Sequence, residues 1–538
     1  MAERLFGIET EYALTGLDAG GNPTDRDIVL ARLMRLVRGR LPYLPDPTGR
    51  GVFLANGARF YIDIPDHPEF TTPECANPWD AVRYVQAGER IIAGLAAELR
   101  GLRLREVVIL RSNVDYSGTG STWGTHESFQ HRSPPSELPE QIIPHLVSRL
   151  IYTGAGGFNS RFLRGIEFTL SPRVPHLENK ISGESTHSRG IFHTKDETLS
   201  SAGYHRLHIL CGESVCSEIS AWLKIGTTAI VVAMIEAGLR PGDAVQLRSP
   251  LAAMRCFAGD PTCRTTAPSE TGAALTALDI QRHYLEMAEA HLQAPSMPPW
   301  AGQVCRAWRD MLRALESAPD SVATTLDWAI KLALFKQRAR RRGIAWESLP
   351  HWNHVATKLS DALQRAGVAD QRPPVEVILD EHGPVADEVY RLNPYLSTHR
   401  LRWDDLRSFI ELRQDLFEID TRFGQLGETG LFNCLDSAGV LTHRVSGVDN
   451  IEQAMEHPPA LGRAGVRGRY VRELSSNGKR YECDWYGIWD HQEHVVLDLS
   501  DPFADAAQWQ SYHAADERIG LVGHLRSRRS AARTGLPF

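Results

Sequence analysis

A chain of 538 residues, 42% apolar and 23% charged with a formal net charge of −7, is long enough for two or three domains and has the composition of an ordinary globular protein. The acidic balance gives no reason to expect a polyanion partner, and the basic stretches Lys336 to Arg342 and Arg526 to Arg533 lack the interleaved aromatics of a nucleic-acid surface. Eight scattered cysteines without a CxxC pair argue against a zinc cage or a disulfide framework; with acids in Met1 to Glu11 and no run expected to reach the roughly 18–20 apolar residues of a membrane span, the chain reads as cytoplasmic.

Leu5 to Ala13 reads as the first strand, with Glu9 and Glu11 two positions apart and therefore on one face. Two like charges there repel unless a cation lies between them. A Gly-rich linker holding one helix, about Asp27 to Val37, leads to a second strand, Val52 to Ile64. A helix then starts at Asn77 as N-cap, with Pro78 in the first turn and Asp80 near the positive end of the dipole, and runs to about Leu99, where Gly101 stops it. Arg105 to Leu110 reads as a third strand, and further strands are expected at Gly165 to Leu170 and Leu207 to Cys211. A long apolar helix spans about Glu218 to Ala237. Helices dominate from Leu275 to Leu363, Ala366 to Pro394 reads as an inserted connection, and the helical pattern resumes after Arg402 until Glu418. From Gly430 onward a smaller α/β unit is expected, ending in strands at Tyr481 to Trp489 and His494 to Leu499. The expected class is α+β, with a curved antiparallel sheet cradling the site.

Chemistry-bearing residues concentrate between Arg59 and Glu74. Arg59, Tyr61 and Asp63 share a strand face, with Asp66, His67, Glu69, Thr72 and Glu74 beyond. Beside Glu9 and Glu11 they make a face of carboxylates, one phenol and one arginine. Hard divalent cations take such oxygen ligands together with nucleotide phosphates, and an arginine clamps phosphate oxygens. The same residues also suit a surface strand of solvated acids and ion pairs, and pattern alone leaves both readings open. His126 and Glu127, read as a Gly-rich turn after Trp123-Gly124, are suited to a metal or to plain structure. Arg206, with His208 on a short strand, is suited to phosphate, and Glu213 and Glu218 follow. Absences narrow the field: no GxxxxGK[ST] loop, kinase set, GxSxG or HExxH occurs, and Ser117-Gly118-Thr119-Gly120 and Gly154 to Gly157 lack a nucleotide-loop fingerprint.

At these residues the chain resembles the Pup ligase and Pup deamidase family, which is glutamine-synthetase-like. Gly7-Ile8-Glu9-Thr10-Glu11-Tyr12, Asn56-Gly57-Ala58-Arg59-Phe60-Tyr61-Ile62-Asp63, His67-Pro68-Glu69-Phe70 and Glu74-Cys75 carry the likeness. Asn113 through His126-Glu127, Arg206-Leu207-His208, Leu223 to Thr227, Ala277 to Arg282, Asp327-Trp328, Asp484-Trp485 and Asp501-Pro502-Phe503 extend it. The resemblance implies a large catalytic domain over residues 1–428, with an insertion near 345–403, and a small C-terminal domain over 429–538 that contributes to the nucleotide site. It implies ATP and Mg2+ as cofactors. Glu9, Tyr61 and Glu69 would be metal ligands, and the acidic face adds Glu11, Glu74 and His126 as candidates. Arg59 and Thr72 would contact ATP, Arg206 would hold phosphate, and Trp485 would pack by the nucleotide. Asp63 would be the catalytic carboxylate. The implied reaction phosphorylates the C-terminal glutamate side chain of a small disordered Pup-like modifier and joins it to a target lysine. Alternatives are a deamidase or isopeptidase, or an ATP-binding scaffold. The short Tyr12 to Val52 stretch resembles the ligase. Three departures bear on the modifier: Ser128 and His193 replace the family's asparagines, with His193 opening the altered stretch His193-Thr194-Lys195-Asp196-Glu197, and Val215 replaces a third.

Overall fold

The computed structural model describes residues 4–512 apart from 65, 101–103, 117–119, 160–165, 184–187, 194–202, 369–373, 381 and 478–479. The expectations placed on Gly101, Ser117 to Thr119, Gly165, Thr194 to Glu197 and Arg526 to Arg533 lie outside the described residues.

A nine-stranded sheet organises the molecule. Across it lie Asn179–Ser182, Gly190–His193, His205–Ile209, Thr125–His131, Phe6–Glu11, His67–Thr71, Arg59–Asp63, Gly51–Leu54 and Tyr43–Pro45. Its pairs are antiparallel as expected, except that the edge pair Asn179–Ser182 and Gly190–His193 is parallel, so the sheet is mixed. The opening strand is shorter than its apolar pattern suggests. It ends at Glu11, and Ala13–Leu17 leaves to pair with Glu106–Leu110 in a separate ribbon. The expected strand Val52 to Ile64 is two strands, Gly51–Leu54 and Arg59–Asp63, folded at Asn56-Gly57. Gly57 has φ +80°, and an added Cβ would stand 3.1 Å from the Ala464 carbonyl oxygen, so both backbone and space require glycine.

One face of the sheet is the core. Phe6, Ile8, Phe129, Leu207 and Ile209 pack against the helix Glu218–Glu236 and its neighbours, while Phe60 and Phe70 pack against Arg26–Arg40 and Pro78–Leu99. Pro78–Leu99 begins as read from the sequence: the Asn77 side chain accepts from the Asp80 N–H. The helix Glu218–Glu236 is long and apolar enough by composition to cross a membrane, contrary to expectation, yet 89% of that window is buried inside the protein.

Ala366 to Pro394 is not a bare connection. It contains the helix Pro374–Leu379 and most of Ala386–Thr398, and these pack with Asp327–Arg341, Leu349–Arg365 and Asp405–Phe423 around Trp352 and Phe409. The C-terminal segment has the helices Leu431–Ser437, Ile451–Glu456 and Arg463–Leu474 and a four-stranded sheet over residues 481–511. Val466, Val471, Ile488 and Leu497 of this segment close on Leu44, Phe53 and Ala55 at the edge of the large sheet. All eight cysteines are unbridged.

Candidate active site

Residues paired directly across an antiparallel ladder point to the same side, so the register defines the face opposite the core. Glu9 pairs with Thr71 and His126, Glu11 with Glu69, Tyr61 with Glu69, Asp63 with His67, and Arg59 with Thr71. Toward the other edge Ser128 pairs with His208, and His208 with His193. Carboxylates therefore occupy the middle of the face, with imidazoles and Arg206 beside them.

Two groups of donor atoms converge there. Glu11, Asp63 and Glu69 form one, and Glu9, His126 and His208 the other; within each, the ligand atoms lie within 4.8 Å of one another. Burial, then the charges of Glu9, Glu11 and Asp63, push the Glu69 carboxyl well above the usual range. Burial and the Glu11 and Glu9 charges likewise raise Asp63, against the Ile64 N–H, which lowers it. Burial opposes ionisation of Glu11 too, but His67, His126 and Arg173 outweigh it and bring that carboxyl to about 2. Burial also opposes ionisation of Glu9, and His126, Arg206 and His193 hold it below the usual range. Crowded carboxylates of this kind are an arrangement that divalent cations relieve. The oxygen-only group suits a hard cation, and the group with two imidazoles tolerates a softer one. The residues present thus fit the implied metal.

His208 is named in the sequence beside Arg206 but given no metal role, because nothing local links it to Glu9. The ladder brings it to Glu9, with Nε2 3.9 Å from Oε2. Its Nδ1 lies 3.0 Å from Ser128 Oγ and 2.7 Å from Arg206 Nη2. For Nε2 to hold a cation, the ring proton must sit on Nδ1 and be taken by Ser128, while Arg206 Nη2 turns toward Glu9 Oε1, now 3.5 Å away. The His193 ring also lies against His208, tilted by 39° with ring centroids 4.4 Å apart. Two of the departures seen in the sequence, Ser128 and His193, therefore flank the same imidazole.

At the opposite end of the face Arg59 donates through Nε to Asp46 Oδ2 at 3.2 Å, and its guanidinium lies 4.1 Å from the Tyr61 ring centroid. Trp485 meets Phe53 edge-on at 5.0 Å, and Arg467 lies over it at 4.8 Å. The C-terminal segment thus reaches this end of the sheet. Thr72 is fully buried and its hydroxyl accepts the Ile8 N–H at 3.0 Å, so it braces two strands.

Glu74 is not with the other acids. Its Oε1 accepts from Arg463 Nε at 2.6 Å and its Oε2 from Arg467 Nη2 at 2.5 Å, all three residues buried. Both oxygens are committed, and Glu74 belongs to neither donor group. His126 and Glu127 sit on the strand Thr125–His131, not a turn, so they face opposite ways. Glu127 enters the core and takes both arms of Arg149, at 2.9 and 2.6 Å. Glu213 and Glu218 are structural as well. Glu213 accepts the Ala155 and Arg173 N–H groups, and Glu218 accepts from Arg444 and the Val445 N–H.

The sequence model of the Pup-ligase protein family matches residues 4–371 and 390–489. The chain belongs to that family of ligases. The Pup–protein ligase of Acidimicrobium ferrooxidans is 31% identical over 518 residues, covering 94% of this chain and 96% of its own. Pup–protein ligase 1 of Rhodococcus erythropolis is 30% identical over 532 residues, covering 96% and 98%. Among solved structures, the complex of the prokaryotic ubiquitin-like protein Pup with its ligase PafA shares the fold, with TM-score 0.68 and 24% identity across 100% of this chain and 98% of that one. PafA in complex with ADP gives 0.64 and 24%, over 93% and 94%. Residues 372–389 are the internal stretch that the family model leaves unmatched.

Proposed function

We propose that the protein is an ATP-dependent ligase that joins the side-chain carboxylate of a C-terminal glutamate, on a small modifier of the Pup kind, to a lysine amine of a target protein. The observation that supports this most is the pair of adjacent donor groups, one of which contains Asp63. Glu9, His126 and His208 would hold one cation, and Glu11 and Glu69, with Tyr61 beside them, another. When bound, these ions neutralise charge on the transferring phosphoryl group and on the phosphates flanking it.

The protein's own side chains supply the rest. Arg59 is preset by Asp46 and Tyr61 to face a nucleotide, and Trp485 closes that end with an aromatic surface. Arg206, beside the metal groups, offers its guanidinium to an anionic oxygen of the phosphoryl group or of the modifier's carboxylate. Phosphorylation makes the carboxylate an electrophile. Asp63 then takes a proton from the incoming ammonium so that a lone pair is available, a contribution of ~10²–10⁴-fold. Burial that raises the Asp63 pKa makes it a better proton acceptor than a solvated aspartate.

The test mixes the protein with ATP, Mg2+, Pup ending in glutamate and a lysine-bearing protein, and follows ADP release and conjugate mass. Conjugates of Pup plus target mass with stoichiometric ADP are expected. Release of ammonia from a Pup ending in glutamine, without ligation, would instead identify a deamidase. Nucleotide binding with neither product would identify a scaffold.

A further inference from the structure

Arginines bordering the working face are matched by carboxylates: Arg59 by Asp46, Arg206 by Glu9, Arg463 and Arg467 by Glu74. Arg173 and Arg189 are the exceptions. Among the described residues neither guanidinium has a carboxylate within ion-pair distance. Arg173 is buried and gives Nη1 to the Gly212 carbonyl at 3.1 Å. Arg189 is half-buried and gives Nη1 to Thr122 Oγ1. A buried guanidinium satisfied by neutral acceptors alone keeps an uncompensated charge.

Both lie at the Asp63 end of the face. Gly124 stands two positions before His126, so a side chain there would point to the working face. Arg173 fills that place: an added Cβ at Gly124 would meet its Nη1 at 1.7 Å. The Gly124 N–H donates to Glu11 Oε2 at 2.5 Å, which sets the guanidinium beside the donor group of Glu11, Asp63 and Glu69. Burial pushes Arg173 below its ordinary range against the pull of Glu11 and Glu213, and Arg189 adds to the push. Burial likewise lowers Arg189, against Glu11 and Glu178. Neither nearby acid is spare. Glu11 belongs to a cation group, and Glu213 accepts the Ala155 and Arg173 N–H groups. An anion brought from outside would relieve the two guanidiniums, as a cation relieves the carboxylates beside them.

Resting on the function proposed above, we infer that Arg189 and Arg173 seat the α-carboxylate of the modifier's terminal glutamate while its side-chain carboxylate is activated. A terminal glutamate carries two carboxylates whose carbons are four single bonds apart, at most roughly 5 Å. A group that holds the second must therefore border the place where the first reacts, and these guanidiniums border the group containing Asp63. The nucleotide does not compete for them, since Arg59 and Trp485 take it at the other end of the strand Arg59–Asp63, roughly 13 Å away at the rise of a strand. The transferring phosphoryl group has Arg206 and the cations. Arg189, the more exposed of the pair, meets the carboxylate first, and a guanidinium fork matches its two oxygens. The seat reads the chain terminus itself, so a glutamate inside a chain, whose α-carbonyl is an uncharged amide, is refused.

The experiment uses two forms of the modifier: Pup ending in glutamate, and the same protein with only its terminal α-carboxylate converted to an amide. Affinity is read by calorimetry with Mg2+ and a non-hydrolysable ATP analogue, and kcat and KM by ADP release with Nα-acetyl-lysine amide as acceptor. The wild type is expected to bind the amide ~10–100-fold more weakly than the acid, mainly as a rise in KM. Arg189→Gln is expected to weaken the acid by a similar factor and to bind both forms alike, because the two changes remove one interaction. Arg189→Lys is expected to recover part of the preference. Equal affinity of the wild type for both forms would overturn the assignment. So would a preference that survives Arg189→Gln with both forms weakened alike, which would place the guanidinium on the phosphoryl group. Failure of the wild type to bind either form or to release ADP would instead defeat the function on which the assignment rests.

Discussion

Asp63 and His67 stand directly opposite one another where two antiparallel strands meet, so a carboxylate and an imidazole share the working face one position from the turn that joins the strands. Asp63→Asn keeps the shape and removes the basic oxygen. Conjugate formation is expected to fall by ~10²–10⁴-fold, while calorimetric affinity for ATP with Mg2+ stays within a few-fold, roughly, of wild type. Near-normal turnover would remove Asp63 as the base.

Ser128 touches no reactant in the proposed scheme but would accept the His208 Nδ1–H when Nε2 holds a cation. Ser128→Ala is expected to raise the Mg2+ or Mn2+ concentration needed for half-maximal turnover by roughly 10–100-fold, as loss of an outer-shell partner does, and Ser128→Asn to restore it in part. An unchanged cation titration would place His208 outside the metal site.

Gly51 lies opposite Tyr61 in the ladder, and an added Cβ would come within 2.5 Å of Tyr61 Cβ and 2.6 Å of Asp46 Oδ2. Gly51→Ala therefore presses on Tyr61 and on the Asp46 that orients Arg59. A stability loss of about 1–3 kcal/mol is expected, together with weaker ATP binding, measured by denaturant titration and calorimetry.

Glu74 is a stability element whose pH dependence can be signed. Burial pushes its carboxyl up, but Arg467 and Arg463 outweigh burial and bring it to about 2, against an ordinary 4.5. A depressed folded-state pKa stabilises fully above the ordinary value and is lost as the pH falls from about 4.5 toward 2. Glu74→Gln strands two buried guanidiniums and is expected to cost about 3–5 kcal/mol at neutral pH, with a shallower acid limb. A wild-type acid limb in the variant would contradict the account.

Local rules were legible where one segment decides. Asn77, Pro78 and Asp80 announce a helix start whatever surrounds them, and the alternation of Glu9 and Glu11 or of Arg59, Tyr61 and Asp63 assigns a face as soon as the segment is a strand. The turn at Asn56-Gly57 carried its own signal, but the apolar residues on both sides masked it as one long strand. Long-range pairings were not legible. His208 becomes a neighbour of Glu9 only through the ladder, 199 positions along the chain (208 − 9), and Glu74 looks like one more site acid until Arg463 and Arg467 arrive from 389 and 393 positions away. The helices inside Ala366 to Pro394 were hidden because Pro373-Pro374 reads as a break, although Pro374 is simply a first-turn proline.

The Glu74 anchor makes the covering of the sheet edge depend on the C-terminal segment. Ribosomal synthesis delivers Asp63, Glu9 and Glu11 early, but the edge formed by Leu44, Phe53 and Ala55 must wait for Val466, Ile488 and Leu497 before it is covered. On the proposed placement of the nucleotide beside Trp485, a chain halted before Arg463 would hold its base and its acids yet lack the wall that seats ATP. Premature termination would thus leave the apolar edge at Leu44, Phe53 and Ala55 uncovered.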